Sequence, residues 1–507
     1  TLANTAASVT VTASAADATA QIRVNGTLVA SGSPSAPIAL DFGVNRLMLR
    51  VTAADGITSN EYAIAITRLA PMLAAGNFHA LALRGDGTLW AWGYNYYGQL
   101  GDASTNDAKA PRKVGRGFSA VAAGDYFTLA LESDGGLWAW GNNGFGQLGD
   151  ATTVDSHAPK QVDDGYTAIA AGRSHSLALK TDRSLWAWGA NDHGQLGDGT
   201  VTEQHFPKHI GDGYVAISAG VGHSLGLKED GSLWAWGQNT QGQLGDGGTT
   251  DRYDPELIGT GYTAISAGGY HSIALKTDGS LWAWGSNYDG QLGDGTTTSS
   301  AAPIKIGTGY TAIAAGYRHN LALKTGGSLW ACGYNGRGQL GDGTLAGSLA
   351  PKQIQIDTNF IAVAAGQDYT VALETDGSVW AWGANWYGQL GDGTLAQRRA
   401  AVLVVNDTVD GPLDLIPSAP KHIPAGALPP FFSLVSPDSS VIGATATLKQ
   451  TTKFNAADKG KDGSVFITAT VPPGSLVAAQ SPMSAQGASA AGSSADTAAS
   501  TFVLIQL

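Results

Sequence analysis

The sequence predicts an all-β protein, in which a seven-bladed β-propeller is flanked by an N-terminal β-sandwich module and a C-terminal β-rich domain. The first observation behind this prediction is a motif, Leu-Trp-Ala-Trp-Gly followed by Gly-Gln-Leu-Gly, that recurs seven times with few changes. Its leading tryptophans are Trp90, Trp138, Trp186, Trp234, Trp282, Trp330 and Trp380. The copies are 48 residues apart except for the last, which is 50 residues on. So strict a period indicates a repeat architecture.

The second observation is that each repeat contains four short apolar runs separated by turn residues. In the fourth repeat these runs are 214–220, 223–228, 233–237 and 254–259. Asp230-Gly231 predicts a hairpin, because that turn needs positive φ and glycine supplies it without strain. Four strands per repeat without a helical period are typical of a propeller blade.

Proline begins the fourth run in six repeats, and we expect it at the start of an edge strand because it cannot donate to a ladder. These prolines are Pro111, Pro159, Pro207, Pro255, Pro303 and Pro351. The seventh such run, Ala400–Val405, has no proline. We expect it to pair into the sheet begun by the first repeat, which would close the ring and remove its open edge.

The third observation is the alternating apolar pattern on both sides of the repeats. Residues 1–69 alternate like antiparallel strands, with Asn25-Gly26 as a hairpin signal. They resemble part of the cadherin-like β-sandwich modules of bacterial surface proteins, which act as spacers. Residues 406–430 are proline-rich and predict a semi-rigid linker. Residues 431–507 predict a further β-rich domain, which we expect to be truncated.

The repeat also resembles that of the regulator of chromosome condensation family, over about residues 70–405. The shared pattern is Ala-Gly-x-x-His, then Asp-Gly-x-Leu-Trp-Ala-Trp-Gly, then x-Asn-x-x-Gly-Gln-Leu-Gly. The resemblance implies seven blades. It leaves the function open, because the family includes nucleotide exchange factors, enzyme inhibitors and scaffolds.

Composition excludes several classes of function. A net charge of −12 and a pI near 5.2, without a lysine-arginine cluster, argue against nucleic-acid binding. No run of apolar residues is long enough to span a membrane. The one cysteine, Cys332, stands where six repeats have tryptophan, so we expect a buried small side chain and no disulfide. Because the chain starts at Thr1 without methionine, we expect a processed protein or a fragment.

The recurring polar residues predict structure rather than catalysis. Histidine fills the Ala-Gly-x-x-His position in five repeats, whereas Phe127 and Tyr369 fill it in the other two, so we expect an imidazole bonded to backbone rather than a metal ligand. The Asp after each Leu-Gly predicts a turn, and Gln99 with its six equivalents is expected to satisfy backbone groups between blades. No known catalytic motif is present. The sequence therefore predicts a protein that is not an enzyme and has no cofactor or metal.

The alternative is a guanine-nucleotide exchange factor-like regulator, or an enzyme acting at a propeller face. The resemblance implies that exchange needs a wedge projecting from the propeller. The distance from Gly-Gln-Leu-Gly to the proline is constant, and the largest length change is two residues near 355–359. This disfavours exchange activity.

Binding residues are expected at the variable positions around the constant Asn, because variable loop positions are free to serve recognition. Aromatic residues are concentrated in repeats one, two and seven, which ring closure makes neighbours. The predicted partner-binding residues are Tyr94, Tyr96, Tyr97, Phe145, Trp386 and Tyr387. The alternative is that these rings only cover loop backbone. The favoured function is an extracellular bacterial binding or scaffold protein, at or outside the cell surface, that captures a protein or glycan on this face.

Overall fold

The computed structural model describes residues 8–404 apart from 16, 18, 41–42, 69 and 356–359, together with three C-terminal strands. The chain forms two compact units, one of Thr1–Ala70 with Leu428–Leu507 and one of Pro71–Ala427. Every regular element assigned in the described residues is a strand, so the all-β prediction is confirmed. No helix long and apolar enough to cross a membrane occurs in this described part of the chain.

The N-terminal part of the first unit contains six strands. They are β1 (Ser8–Ala15), β2 (Gln21–Val24), β3 (Thr27–Val29), β4 (Ile38–Ala39), β5 (Gly43–Thr52) and β6 (Ser59–Arg68). Strands β2 and β3 pair around Asn25 and Gly26, which both have positive φ, as the hairpin prediction requires. Alternate residues such as Val9, Val11 and Ala13 are buried in the core of this unit. The resemblance of this module to cadherin-like domains stays a prediction.

The second unit consists of seven four-stranded antiparallel sheets, each formed by consecutive strands. Blade 1 contains β7 (Met72–Ala75), β8 (His79–Leu83), β9 (Leu89–Gly93) and β10 (Ala108–Gly115). Blade 2 contains β11 (Phe118–Ala123), β12 (Phe127–Glu132), β13 (Leu137–Gly141) and β14 (Ser156–Asp163). Blade 3 contains β15 (Tyr166–Ala171), β16 (His175–Lys180), β17 (Leu185–Gly189) and β18 (Gln204–Gly211).

Blades 4 to 7 repeat this arrangement, so the prediction of a seven-bladed propeller is confirmed. Blade 4 contains β19 (Tyr214–Ala219), β20 (His223–Lys228), β21 (Leu233–Gly237) and β22 (Arg252–Gly259). Blade 5 contains β23 (Tyr262–Ala267), β24 (His271–Lys276), β25 (Leu281–Gly285) and β26 (Ser300–Gly307). Blade 6 contains β27 (Tyr310–Ala315), β28 (His319–Lys324), β29 (Leu329–Gly333) and β30 (Ser348–Gln353). Blade 7 contains β31 (Phe360–Ala365), β32 (Tyr369–Glu374), β33 (Val379–Gly383) and β34 (Arg398–Leu403).

Three further strands, β35 (Thr445–Lys453), β36 (Asp462–Thr470) and β37 (Val503–Leu504), belong to the first unit. Strand β36 pairs antiparallel with β1, and β37 pairs parallel with β6. The sequence placed residues 431–507 in a domain of their own, whereas these strands share sheets with the N-terminal module. The predicted linker lies outside the described residues, and the division into domains at these boundaries stays a prediction.

The position of the prolines differs from the prediction. Pro111 lies inside β10 rather than at its start, because the outer strand already pairs at Ala108 with Gly93. The register then shifts before Arg112 pairs with Ala91. A bulge in an edge strand leaves a residue unpaired, and this accommodates the missing proline donor.

The predicted mode of ring closure is wrong. The segment predicted as Ala400–Val405 is strand β34, and it pairs with β33 of its own blade, with Leu403 opposite Trp380. The first sheet needs no returning strand, because the first repeat itself supplies β7 to β10. Each blade is therefore built from one contiguous segment.

The blades are joined to one another by the loop that follows each third strand. The Trp140 indole of blade 2 donates to the Gln99 carbonyl oxygen at 2.9 Å, and the Ala103 amide donates to the His157 carbonyl oxygen at 3.0 Å. Equivalent bonds close the ring between blades 7 and 1, where the Trp92 indole donates to the Gln389 carbonyl oxygen at 3.0 Å. We call this junction the seam.

Candidate partner-binding face

Each blade presents two loops at the same end, because its strands are antiparallel. One is the Ala-Gly-x-x turn between the first and second strands, and the other follows the third strand. In blade 2 they are bonded together, since the Asn142 amide donates to the Tyr126 carbonyl oxygen at 2.9 Å. Gly141 permits this approach, because it has a φ of 102° and a Cβ there would lie 2.6 Å from that oxygen.

The loop after the third strand is held by a buried asparagine. Asn95 donates from Nδ2 to Asp102 at 3.1 Å and accepts the Leu100 amide at 2.9 Å. Burial opposes ionisation of Asp102, but hydrogen bonds from Arg112, Ser104 and Asn95 outweigh it and lower the pKa of this carboxyl. The asparagine–aspartate bond recurs in every blade, which agrees with the predicted turn role. These loops are therefore fixed platforms for the side chains they carry.

The glutamine of the same loop differs from the prediction. The Gln99 Oε1 accepts the Tyr97 amide of its own loop at 3.0 Å. Of the seven equivalent glutamine side chains, all in the described residues, Gln339 alone has a hydrogen bond to the next blade, and it donates to the Asp368 side chain at 3.2 Å rather than to backbone. The backbone carbonyl of Gln99 makes the bridge instead, accepting the Trp140 indole and, at 2.8 Å, the Thr128 hydroxyl.

The recurring histidines are structural, but their partner is a side chain rather than backbone. His79 Nε2 lies 3.1 Å from the Thr128 hydroxyl of the next blade. Because that hydroxyl donates its hydrogen to the Gln99 carbonyl, the imidazole must carry its own hydrogen on Nε2. Burial lowers the pKa of His79 to about 3, so the ring is neutral. The equivalent rings also bond to the next blade: His175, His223, His271 and His319.

These histidines do not converge on a common point, because each is bonded within its own blade junction. Among the residues that the structure describes, no group of three or more His, Cys, Asp or Glu side chains is placed to hold a metal ion. Cys332 is buried, and its thiol takes the place of an indole in contacting the Gln291 carbonyl oxygen at 3.6 Å.

Aromatic rings from blades 7, 1 and 2 meet on the loop face. Tyr94 and Tyr387 are 4.6 Å apart across the seam, and Phe78 lies 5.3 Å from Tyr387. Tyr126 of blade 2 lies 5.5 Å from Tyr97. We call this cluster the aromatic surface; its members are Phe78, Tyr94, Tyr96, Tyr97, Tyr126, Trp386 and Tyr387.

The aromatic surface has supporting and exposed members. Tyr96 is 65% exposed and Trp386 is 43% exposed, whereas Tyr94 and Tyr387 are half-buried beneath them. The pKa of Tyr94 is raised to about 12, mainly by burial and to a smaller extent by the neighbouring tyrosines, so its hydroxyl stays protonated. The Arg337 guanidinium lies 4.7 Å from the Trp386 ring, at the margin of the surface. The arrangement is a mostly apolar contact area that carries phenol hydroxyls.

Five of the six predicted binding residues belong to this surface. The exception is Phe145, which is 47% exposed and makes no ring contact with the cluster in the described structure. Sequence reasoning missed Phe78 and Tyr126, which lie in the Ala-Gly-x-x-His turn. The available signal was that the two positions before the histidine vary between repeats while the histidine recurs.

Comparison with known proteins gives the family of this architecture. The model of the RCC1-like domain matches residues 3–264 and 215–422. The chain belongs to the RCC1-like domain family.

Solved structures support the same assignment. Prp20p of Saccharomyces cerevisiae is 25% identical, with a TM-score of 0.58 over 63% of this chain and 86% of that chain. Yeast RCC1 (Prp20) bound to Kap60 is 24% identical, with a TM-score of 0.59 over 63% of this chain and 84% of that one. Human WBSCR16 is 25% identical, with a TM-score of 0.55 over 62% of this chain and 88% of that chain. An RCC1-like propeller fits a binding or regulatory role.

The RCC1-like propeller also has a central opening, which lies beside the aromatic surface. Alanine and glycine pairs from the seven first strands line a cavity of about 90 Å³, and Asp125, Arg173 and Tyr317 stand at its mouth. Burial raises the pKa of Asp125 to about 7, and the charge of Arg173 opposes this only in part. The Arg173 Nε atom lies 3.7 Å from the Asp125 carboxylate, beyond hydrogen-bond distance.

Proposed function

We propose that the propeller is a non-catalytic binding module that captures a protein partner on the aromatic surface. One observation carries this proposal: seven rings from three blades form one continuous cluster, and its outer members, Tyr96 and Trp386, are exposed. Tyrosine and tryptophan give large contact areas with little loss of side-chain entropy, and they are enriched in binding hot spots.

A protein is favoured over a glycan as the partner. The Prp20p structure is described together with its binding to Gsp1p and histones, so a relative with this fold binds proteins. Glycans also stack on exposed aromatic rings, and a glycan partner is therefore one outcome of the test. The location at a bacterial cell surface remains part of the proposal, and the resemblance of residues 1–69 to surface-protein modules supports it.

Catalysis and nucleotide exchange have less support. The five recurring histidines are buried and bonded within the blade junctions, so none of them is available as a general base. The loops after the third strand are of equal length in the seven blades, so none of them supplies a projecting wedge.

The test compares two substitutions on the surface with one outside it. The full chain serves as bait, and proteins captured by the wild type are quantified against the Trp386→Ala/Tyr97→Ala variant. Tyr288→Ala is the matched control, because Tyr288 follows the constant Asn as Trp386 does and is 70% exposed, but belongs to blade 5. For the purified partner we expect the double variant to bind at least about 30-fold more weakly, since hot-spot side chains contribute roughly 2 kcal/mol or more.

The control variant should bind the same partner as the wild type, and all three proteins should have similar melting temperatures. A partner that binds the double variant as well as the wild type would show that the site lies elsewhere. If a glycan array shows saturable binding that the double variant loses, while no protein behaves in this way, the protein-partner proposal is wrong.

A further inference from the structure

The margin of the aromatic surface carries an arginine that stacks on a ring and has no anionic partner. The Arg337 guanidinium lies 4.7 Å from the Trp386 ring, and both side chains are exposed. Among the described residues, no carboxylate lies within 4.0 Å of this guanidinium, and no oxygen accepts a hydrogen bond from it. The Asp368 carboxylate of the next blade accepts the Gln339 side chain at 3.2 Å instead. The N–H groups of Arg337 are therefore free to hold a carboxylate in the bidentate geometry that a planar guanidinium favours.

Two further cations lie beside the same loops, on the outer strands of blades 7 and 1. The backbone of Arg399 packs against the blade 6 loop, since a Cβ on Gly338, the residue after Arg337, would lie 2.7 Å from its Cα. In the same way Lys109 packs against the blade 7 loop, where a Cβ on Gly388 would lie 2.6 Å from its Cα. Both side chains are exposed, and neither has an ion-pair partner in the described part of the chain. We call Arg337, Arg399 and Lys109 the cationic margin.

Comparison of the repeats shows that these charges are concentrated around Trp386. The position of Lys109 and Arg399 is occupied in the other blades by a histidine or an uncharged residue: His157, His205, Tyr253, Ala301 and Leu349. The position of Arg337 carries no other arginine or lysine: Tyr97, Phe145, His193, Gln241, Asp289 and Tyr387. Lysine or arginine at these two positions therefore occurs only in blades 6, 7 and 1, although the chain has a net charge of −12.

We propose that the protein captured on the aromatic surface presents an acidic segment, in which carboxylates pair with the cationic margin while an aromatic or aliphatic side chain packs on Trp386. This inference rests on the proposed function, since it names the chemistry of that partner. Cations without anionic partners beside exposed rings complement a negatively charged segment and repel a basic one. The acidic remainder of the chain disfavours such a segment elsewhere, which confines it to this margin.

The test presents an array of random-sequence peptides to the full chain at low ionic strength. Peptides that the wild type binds and the Trp386→Ala/Tyr97→Ala variant does not should be enriched in Asp and Glu and depleted of Lys and Arg. The strongest of these peptides should bind at least about tenfold more weakly when its Asp and Glu are replaced by Asn and Gln, because hydrogen bonds to charged groups are lost. Its affinity should also fall as added salt screens the charges.

Two charge variants then locate the contact. Arg337→Gln/Arg399→Gln should bind the selected peptide at least about tenfold more weakly than the wild type, and should keep its melting temperature because both side chains are exposed. Lys113→Gln/Lys305→Gln is the matched control, since it removes the same total charge from exposed positions of the outer strands. These lysines lie opposite Trp90 and Trp282, away from the loop face, and the control should bind as the wild type does.

Two results overturn this inference and leave the proposed function standing. They are a lack of Asp and Glu enrichment among the peptides that the aromatic variant loses, and equal binding of the selected peptide by the charge variant and its control. If no peptide distinguishes the wild type from the aromatic variant, the inference is also wrong, and the capture experiment above decides the proposed function separately.

Two other occupants of the margin would also overturn it. Stronger binding of a mixed-sequence single-stranded oligonucleotide than of any peptide would assign the cations to phosphate groups. Concentration-dependent dimerisation that Arg337→Gln/Arg399→Gln abolishes would assign them to a second copy of this chain.

Discussion

Mild acid should destabilise the propeller steeply, because it contains five buried neutral histidines. Burial lowers the pKa of these imidazoles to about 3 or 4, whereas an unfolded histidine titrates near pH 6.5. Between these values the unfolded chain binds more protons than the folded one. The stabilisation is therefore complete above about pH 6.5 and is lost as the pH falls below it.

Four carboxyls among the described residues partly offset this effect. Burial raises the pKa of Asp125 to about 7, so below that pH its folded form takes up a proton that the unfolded form does not. Asp107, Glu132 and Asp368 act in the same direction, because burial raises the pKa of each of them. Five histidine protons less the one that Asp125 takes up leave a difference of roughly four protons between the unfolded and folded chains near pH 5. At about 1.4 kcal/mol per proton and pH unit, the free energy of unfolding should fall by roughly 5–6 kcal/mol per pH unit, which the other raised carboxyls reduce.

The measurement is urea unfolding followed by tryptophan fluorescence at several pH values between 7 and 5. His223→Phe provides the matched variant, because blade 2 already carries Phe127 in this position. There the Ser176 hydroxyl keeps its bond to the Gln147 carbonyl oxygen at 2.8 Å. The pH dependence of the variant's free energy of unfolding should correspond to about one proton fewer, which lowers the slope by roughly 1.4 kcal/mol per pH unit. A wild-type slope below about 1.4 kcal/mol per pH unit, or an unchanged slope in His223→Phe, would refute the reasoning.

Four further substitutions have expected outcomes. Ala151 of blade 2 has a φ of 62°, and the equivalent residue of blade 4 is Gly247, where a Cβ would meet nothing within 4 Å. Because positive φ favours glycine, Ala151→Gly should stabilise the protein and Gly247→Ala should destabilise it, each by about 1 kcal/mol in urea unfolding. Effects of the opposite sign would exclude a backbone cause. Cys332→Trp should destabilise by roughly 1–3 kcal/mol, because the Pro351 ring lies beside the thiol against Gly293; an equal or higher melting temperature contradicts this. Asn239→Ala should lose roughly 2–4 kcal/mol, since it leaves buried loop groups such as the Leu244 amide without partners, and a change below about 1 kcal/mol in a thermal melt would be inconsistent with that role.

The blades were predictable because their signals are local and repeated. The four runs and the Asp-Gly turns lie within one 48-residue period, and antiparallel pairing of consecutive runs follows from them. The path of the last strand was not predictable in this way. Whether residues 398–403 pair with Val379–Gly383 or with the first repeat depends on which sheet edge is vacant, and the strand's own sequence does not contain that information.

The candidate site could be predicted only in part. The proximity of Tyr97 and Tyr387 follows from ring closure, whichever strand achieves it. Phe78 and Tyr126 were missed because their turn was interpreted through its histidine, although the bond between the two loops of each blade brings them to the same face. The bridge between blades was assigned to the glutamine side chain, whereas the backbone carbonyl of Gln99 makes it. A glutamine that recurs in every repeat gives the same sequence pattern in both cases.

The seam between blades 7 and 1 links binding at the aromatic surface to closure of the ring. The chain itself joins each blade to the next at the other junctions, whereas blades 7 and 1 are held by noncovalent contacts such as the Trp92 bond to Gln389. The aromatic surface straddles this junction, because Tyr94 and Tyr387 meet across it. A ligand bound there would contact the first and last blades at once and would favour the closed ring by mass action. Partner binding at the aromatic surface would thus be thermodynamically linked to closure of the ring, and would stabilise the seam.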